Sequence, residues 1–299
     1  MPERSLLAGA AEPILRFRAS RKKFIEPEAC SAYISQMARA ARVKYVLPRA
    51  ARLSGRITEN EADGMQYFTI APKEGQPGEG VNIVYLHGGS YFAPPNIFHW
   101  EMLLRLGDLC NAEITVPLYP RAPLRTCSTA YEVLPGFLAW QRPDVLMGDS
   151  AGGGLAIGLA QVMGEEAPPM LITLSPWLDV SLENPQIADY EPRDAVLGSY
   201  GLRRMGKLWA GSLDIHDPRV SPIFGDFSCV KNLTMFVGTH ELFYPDVMAL
   251  SERLTAEGRE HSVIVGEGMS HVWVCYPMKE GRESVAKIAE IINAGGSEM

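Results

Sequence analysis

The sequence predicts an α/β protein with a mostly parallel central sheet and helices on both of its faces. Seven short apolar runs recur between residues 66 and 266, and helical patterns separate them: QYFTI, VNIVYL, EITVPLY, DVLMG, MLITLS, LTMFVG and SVIVG. Each run has the length of a buried strand. Because strands that alternate with helices pair in parallel through right-handed crossovers, the helices are expected to cover both sides of the sheet.

Helical patterns lie before, within and after this series of strands. A weakly amphipathic stretch predicts a helix over residues 28–43. Apolar residues at spacings of three, four and seven predict a C-terminal helix over residues 279–293 that docks on the sheet. The segment 184–222 has helical rather than strand patterning, so we interpret it as an insertion.

Size and charge narrow the class of protein. A chain of 299 residues with 46% hydrophobic residues can bury a substantial core, in one large domain with embellishments or in two domains. The net charge of -7 comes from interspersed acids and bases, and without a basic block nucleic acid is not expected as a partner. No stretch of about eighteen apolar residues occurs and the N-terminus lacks an export signal, so we expect neither a membrane span nor secretion.

The cysteines and histidines argue against a disulfide framework and a metal site. Five cysteines are scattered singly, without a CxxC pair, which predicts reduced thiols and a cytoplasmic location. The six histidines form no HExxH motif and no pair at helical ligand spacing. We therefore expect no metal site.

A serine occupies the turn between one predicted strand and the helix that follows it. Gly148 and Gly152 flank Ser150 in the pattern G-x-S-x-G, between DVLMG and AGGGLAIGLAQVM. Such a turn strains the serine backbone and exposes its Oγ, and glycine avoids the collisions that flanking side chains would cause. The alternatives are a glycine-rich turn with a capping serine or a phosphate-binding loop, but the lysine and the glycine spacing of phosphate loops are absent. Ser150 is therefore the candidate nucleophile.

A glycine pair follows the strand VNIVYL directly. His87, Gly88 and Gly89 stand where loops of this kind contribute backbone N–H groups to an oxyanion hole. We predict donors at Gly88, Gly89 and Ala151, each worth roughly 3 kcal/mol of barrier. His87 precedes the serine in the chain, so we expect it to anchor the glycine loop rather than to act as a base.

A nucleophilic serine needs a base and an acid that orients the base. His271 lies soon after the last predicted strand, in the chain order serine, acid, histidine, and is the candidate base. Glu241 and Asp246 both follow the strand LTMFVG. Asp246 precedes a helical pattern and can be explained as a helix cap, which leaves Glu241 as the favoured acid and Asp246 as the alternative.

Six motifs occur in the order found in the hormone-sensitive lipase-like family of α/β hydrolases, which the chain resembles over residues 81–273: HGGSY, YPRAP, GDSAGG, SPWLD, VGTHELFYPD and GMSHVW. The resemblance implies an α/β-hydrolase fold with a helical cap. It also implies a carboxylesterase for short- to medium-chain esters that uses Ser150, an acid and His271 without a cofactor. The family usually has aspartate where this sequence has Glu241, which keeps Asp246 open as the acid.

The same resemblance implies a division of the chain. Residues 1–55 and 184–222 would form the cap, and residues 56–183 and 223–299 the hydrolase core. A small-molecule ester would be the partner, and analogy with the family suggests a homodimer. Seven aromatic residues are candidates for an acyl or alcohol pocket, with core or cap packing as the alternative: Tyr91, Phe92, Trp177, Tyr190, Trp209, Phe243 and Trp273.

Two other functions use the same residues. An amidase or lactonase would share the entire machinery, because the machinery does not identify the leaving group. A non-catalytic ligand receptor on a hydrolase scaffold belongs to a different class, and such receptors tend to lose the base. The presence of His271 counts against the receptor.

Overall fold

The computed structural model describes Ser5, residues 19–74 and residues 80–295. Most of the N-terminal stretch on which the expectation about secretion rests therefore lies outside the described residues. The same holds for the first part of the predicted cap segment 1–55 and for the last four residues of the chain.

Eight strands form one sheet with the order β1-β2-β4-β3-β5-β6-β7-β8. The strands are β1 (Ile57–Ala62), β2 (Met65–Ile70), β3 (Asn82–Leu86), β4 (Glu113–Pro117), β5 (Val145–Asp149), β6 (Met170–Leu174), β7 (Leu233–His240) and β8 (His261–Ser270). The six strands from β3 to β8 pair in parallel, whereas β2 pairs antiparallel with both β1 and β4. The predicted mostly parallel α/β sheet is confirmed.

The seven predicted runs all form strands, and β1 is the strand that the apolar pattern did not predict. Its sequence, ITENEA, is polar because it lies at the edge of the sheet and none of its residues is fully buried. Backbone pairing with β2, from Ile57 opposite Ile70 to Ala62 opposite Met65, holds it in place. An apolar-run criterion cannot detect such an edge strand.

Ten helices surround the sheet within the described residues. They are α1 (Ala19–Ile25), α2 (Pro27–Ala40), α3 (Arg49–Arg52), α4 (Ile97–Cys110), α5 (Cys127–Gln141), α6 (Ala151–Met163), α7 (Ile187–Tyr190), α8 (Ser199–Ala210), α9 (Tyr244–Ala256) and α10 (Lys279–Gly295). Short 3-10 turns cover Gly164–Glu166, Pro222–Phe224 and Trp273–Cys275.

Alternate residues of β3 and of β5 to β8 face two separate hydrophobic clusters, one on each side of the sheet. On β3, Val84 and Leu86 belong to the cluster that includes side chains of α5, α6 and α9. Ile83 and Tyr85 belong to the cluster that includes side chains of α4 and α10. The period of two along the strand therefore divides the core into two layers.

Helices from the two segments predicted as a cap pack against each other. Both α1 and α2 contact α8, which lies in the segment 184–222. Gly201 of α8 approaches the backbone of Phe24 so closely that a Cβ atom there would overlap it. The boundaries of the cap stay a prediction. No helix of the described residues has the length and apolar character needed to cross a bilayer.

Candidate active site

Ser150 lies at a strained turn between β5 and α6. Its backbone has φ 51° and ψ −120°, a conformation that a residue with a side chain rarely adopts. Two hydrogen bonds hold it there: the Ser150 N–H donates to the Leu174 carbonyl at 2.8 Å, and the Trp177 N–H donates to the Ser150 carbonyl at 2.9 Å. A Cβ atom at Gly152 would collide with the Leu86 carbonyl, which explains the glycine.

His271 follows β8 and lies between Ser150 and Glu241. Its Nε2 is 3.0 Å from Ser150 Oγ, and its Nδ1 is 2.6 Å from Glu241 Oε2. An Nδ1–H that donates to the carboxylate leaves Nε2 free to accept the serine proton. The structure thus brings together the three residues that the sequence favoured for nucleophile, base and acid.

Burial and nearby carboxylates shift the pKa of His271 in opposite directions. Burial on its own lowers the His271 pKa, because it disfavours the charged imidazolium. The hydrogen bond and charge of Glu241, joined by the charges of Asp194 and Asp149, outweigh burial and raise the pKa above its ordinary value. The site therefore favours the imidazolium that forms when histidine takes a proton.

Glu241 is fully buried and its second oxygen is also satisfied. Oε1 accepts hydrogen bonds from Ser175 Oγ at 2.8 Å and from the Gly238 N–H at 2.6 Å. Ser175 Oγ also accepts from the Val272 N–H at 3.1 Å, next to His271. Ser175 therefore links the acid to the histidine loop. The sequence analysis did not single it out, although the motif SPWLD places it directly after β6.

Asp246, the alternative acid, does not contact His271. It is 1% exposed, and its Oδ1 accepts a hydrogen bond from Asn184 Nδ2 at 2.9 Å. Burial raises its pKa to about 7. The expectation that Asp246 caps a helix is wrong, because α9 begins after Phe243 without a side-chain cap and Asp246 lies inside its first turn.

The glycine loop, residues 87–90, differs from expectation at Gly88. The Gly88 N–H donates to Asp149 Oδ1 at 2.6 Å, so this amide is already engaged by a carboxylate. A Cβ atom at Gly88 would also collide with that carboxylate. The role of Gly88 as an oxyanion donor stays a prediction, and the structure shows its N–H bound to Asp149 instead. Close approach to Asp149, rather than to an oxyanion, explains the glycine.

Three other backbone N–H groups near Ser150 have no hydrogen-bond acceptor among the described residues: those of Gly89, Ser90 and Ala151. Gly89 and Ser90 line the cavity next to Ser150. The Ala151 N–H is the first of α6, so no carbonyl within the helix can accept from it. These amides are available to an acceptor that enters the cavity.

Three hydrogen-bond donors surround the Asp149 carboxylate. Besides the Gly88 N–H, its carboxylate accepts from Tyr85 Oη at 2.7 Å, and His99 Nε2 lies 3.3 Å from Oδ2. Burial on its own raises the Asp149 pKa, but His99 and these hydrogen bonds outweigh it and lower the pKa below its ordinary value. Neither Asp149 nor His99 was selected from the sequence.

His87 anchors the glycine loop, as expected. Its Nδ1 is 2.8 Å from the Gly88 carbonyl oxygen, and its ring stacks on Tyr119 with 4.6 Å between centroids. Tyr119 Oη donates to the His87 carbonyl at 2.7 Å. Burial lowers the His87 pKa to about 3, so the ring is neutral near pH 7. His87 therefore holds the loop as an uncharged side chain.

A cavity of about 160 Å³ opens onto Ser150 and His271. Its aromatic lining is Phe24, Phe98 and Tyr276. None of the seven aromatic candidates from the sequence is among the described residues that line it. Several of the seven stack on one another in the core instead, among them Tyr91 and Trp209 with 4.1 Å between parallel rings.

Residues 83–275 match the family model described as alpha/beta hydrolase fold. The chain is 28% identical over 222 residues to a triacylglycerol lipase of Mycobacterium tuberculosis, an alignment that covers 71% of this chain and 46% of the lipase. It is 29% identical over 225 residues to an acetyl-hydrolase of Streptomyces hygroscopicus, with 69% of this chain and 73% of that protein covered. Less than half the length of the lipase is thus represented here.

Two solved structures share the fold. An esterase/lipase from an uncultured bacterium superposes with a TM-score of 0.80 at 22% identity over 97% of this chain and 99% of that one. An esterase from the bacterial hormone-sensitive lipase family superposes with a TM-score of 0.78, also at 22% identity, over 97% and 98% of the two chains. At this level of identity, the structures establish the fold alone.

Proposed function

The chain belongs to the alpha/beta hydrolase fold family, and from that premise we propose that it is a serine carboxylesterase acting on short- to medium-chain carboxylic esters. The observation that carries the proposal is the distance of 3.0 Å between His271 Nε2 and Ser150 Oγ, with Glu241 on the other ring nitrogen. The names of the two relatives, a lipase and an acetyl-hydrolase, support the same class.

In the proposed acylation step, Ser150 Oγ attacks the ester carbonyl while His271 Nε2 takes the serine proton. The resulting imidazolium keeps its hydrogen bond to Glu241 and then gives its proton to the departing alcohol. Water repeats the sequence: His271 takes a proton from water, the hydroxide adds to the acyl group, and Ser150 leaves with the proton. The products are an alcohol and a carboxylic acid.

The negative charge on the attacked oxygen needs donors that are already in position. The N–H groups of Gly89, Ser90 and Ala151 are free to donate, whereas that of Gly88 binds Asp149. We assign the oxyanion hole to Gly89, Ser90 and Ala151. The start of α6 adds a partial positive charge at the same place.

The cavity of about 160 Å³ beside Ser150 and His271 accommodates an acyl group. Because the cavity is open to solvent, the preference for short acyl chains rests on the resemblance of the sequence motifs rather than on the cavity volume. The homodimer and the cytoplasmic location predicted from the sequence stay predictions.

Hydrolysis of p-nitrophenyl acetate, butyrate and octanoate by wild type and Ser150→Ala tests the proposal. We expect the wild type to hydrolyse acetate and butyrate faster than octanoate, and Ser150→Ala to lose at least about 10⁴-fold in kcat with an unchanged circular dichroism spectrum. A fluorophosphonate should label Ser150 in the wild type alone. A wild type inert to all three esters and to the probe would favour the receptor, and turnover of matched amides over esters would favour the amidase.

A further inference from the structure

A lysine from the N-terminal helix α1 lines the same cavity as Ser150 and His271. Lys23 is half-buried, and its Nζ lies 4.1 Å from the centroid of the Tyr33 ring and 4.9 Å from that of Phe24. Of the described residues that line the cavity, Lys23 is the only lysine or arginine. The proposed mechanism does not use Lys23.

No carboxylate of the described residues forms an ion pair with Lys23, in contrast to its neighbour on the same helix. Lys22 is largely exposed and lies 3.6 Å from Glu26. Burial lowers the Lys23 pKa to about 8, which leaves the side chain mostly protonated at pH 7. The aromatic rings attract the cation but do not neutralise its charge.

A second cation lies near the same ring. Burial raises the Tyr33 pKa to about 12, and the charge of Arg121 opposes that shift. Arg121 donates to the Phe92 carbonyl and has no ion pair within the described part of the chain. The charge of Arg121 therefore acts on the ring that Lys23 contacts, although Arg121 itself lines a different cavity.

The carboxylates near Ser150 do not neutralise the charge of Lys23. Asp149 is held by Tyr85, His99 and the Gly88 N–H, and Glu241 by His271 and Ser175. Both are already paired within their own hydrogen-bond networks. An anion that neutralises Lys23 would have to enter with a ligand.

The docking of α1 does not depend on the ammonium group. Phe24 is 4% exposed and belongs to the core cluster, and Gly198 and Gly201 let α8 approach the backbone of α1 closely. A neutral side chain of similar length, such as methionine, would preserve these contacts. A half-buried cation without an ion-pair partner carries a desolvation cost that packing does not require.

We propose that Lys23 binds a carboxylate group on the substrate, so that the preferred esters carry a negative charge a few bonds away from the scissile carbonyl. This inference rests on the proposed esterase function and specifies its substrate class. Hemiesters of short dicarboxylic acids carry the charge on the acyl side, and acetyl esters of short hydroxy acids carry it on the alcohol side. The ion pair would select between otherwise similar esters without taking part in bond making.

The experiment compares matched anionic and neutral esters. Monoethyl glutarate is paired with ethyl acetylbutyrate, in which a methyl ketone replaces the carboxylate. Acetoxybutyrate is paired with its methyl amide for the alcohol side. We expect wild type to have a higher kcat/KM for the anionic member of one pair, and Lys23→Met to lower that anionic-to-neutral ratio about 10- to 100-fold, mainly through KM. Which pair responds identifies the side that carries the charge.

Lys22→Met is the matched control, because it removes a neighbouring charge that does not line the cavity, and it should keep the wild-type ratio. Lys23→Arg should retain the preference, and Lys23→Gln should lose it if Lys23→Met does not fold. The inference is overturned if wild type shows no higher kcat/KM for the anionic ester in either pair. It is also overturned if Lys23→Met lowers kcat/KM equally for the anionic and the neutral ester of a pair. In either case, continued hydrolysis of the neutral esters leaves the proposed function intact, and failure on all esters, including p-nitrophenyl acetate, rejects that function instead.

Discussion

The Gly88 N–H donates a hydrogen bond of 2.6 Å to Asp149 Oδ1, and this bond joins the glycine loop after β3 to the residue directly before Ser150. Because β3 and β5 are neighbours in the sheet, the two loops emerge side by side. One carboxylate thus fixes the loop that carries the proposed oxyanion donors relative to the proposed nucleophile. Asp149 is a positioning residue in this interpretation.

Asp149→Asn tests that role. The amide replaces one acceptor oxygen with a donor, so the substituted side chain cannot accept from the Gly88 N–H, Tyr85 and His99 together. We expect kcat on p-nitrophenyl butyrate to fall about 100-fold with little change in KM, because the donors move relative to the developing charge. Asp144→Asn, directly before β5, is the control that should keep the wild-type kcat, because its side chain accepts from the Asn82 N–H alone and an amide oxygen can replace that acceptor. Equal effects of both variants would show that Asp149 is merely structural.

The assignment of the acid predicts different outcomes for two carboxylates five residues apart. Glu241→Gln should lower kcat by about 10⁴-fold, because the amide no longer holds His271 in the tautomer that accepts the serine proton. Asp246→Asn should stay within a few-fold of wild type, because Asp246 contacts Asn184 and not His271. Steady-state rates on p-nitrophenyl acetate decide between them, and a larger loss in Asp246→Asn would refute the assignment.

The raised pKa of His271 predicts the acid limb of the pH profile. His271 must be neutral to accept a proton, so kcat/KM falls as the pH drops through its pKa. Because Glu241 and two further carboxylates outweigh burial, this fall should be centred above the ordinary histidine value of 6.5. The residual activity of Glu241→Gln should show the limb at lower pH. A wild-type limb below pH 6.5 would contradict the electrostatic account.

Ser175→Ala removes the bridge between the acid and the histidine loop. Glu241 loses one of its two Oε1 donors, and the Val272 N–H loses its acceptor. We expect a loss of roughly 10-fold in kcat/KM, because each buried group left unpaired costs about 1–3 kcal/mol and part of that cost falls on the alignment of His271. The acid limb should also shift, which a purely structural defect would not produce. Ser181→Ala, a buried serine bonded to Asp179, serves as the control.

The sequence predicted those features that depend on local pattern. Seven apolar runs became strands because burial on both faces requires continuous apolar sequence, and the chain order serine, acid, histidine followed from loops after successive parallel strands. Ser150, His271 and Glu241 could therefore be chosen before their distances were known. The polar strand β1 was not predicted, because backbone hydrogen bonds to β2 hold it in the sheet and its sequence has no apolar run.

The contacts of Gly88 and Asp246, which the sequence did not predict, have a common physical origin. Which acceptor an amide finds depends on neighbours that are remote in sequence: Asp149 is 61 residues from Gly88, and Asn184 is 62 residues from Asp246. The local sequence is the same whether a glycine allows a ligand or a carboxylate of the protein itself to approach its backbone. The motif located the loop correctly but could not assign its individual N–H groups.

Asp246→Asn is also expected to change how stability depends on pH. The Asp246 pKa is raised from 3.8 to about 7 in the folded protein, so between these values the folded state holds a proton that the unfolded state has released. The contribution of Asp246 to the free energy of unfolding is fully present below pH 3.8. It is lost as the pH rises through 7, by up to about 4 kcal/mol. Thermal melts at pH 5 and pH 8 should show that the Tm of Asp246→Asn relative to that of wild type is higher at pH 8 than at pH 5. The reason is that the amide stays neutral and retains an acceptor for Asn184. Asp189→Asn, at an exposed position, should show no such trend, and an Asp246→Asn effect equal at both pH values would mean that the carboxylate is not protonated when folded.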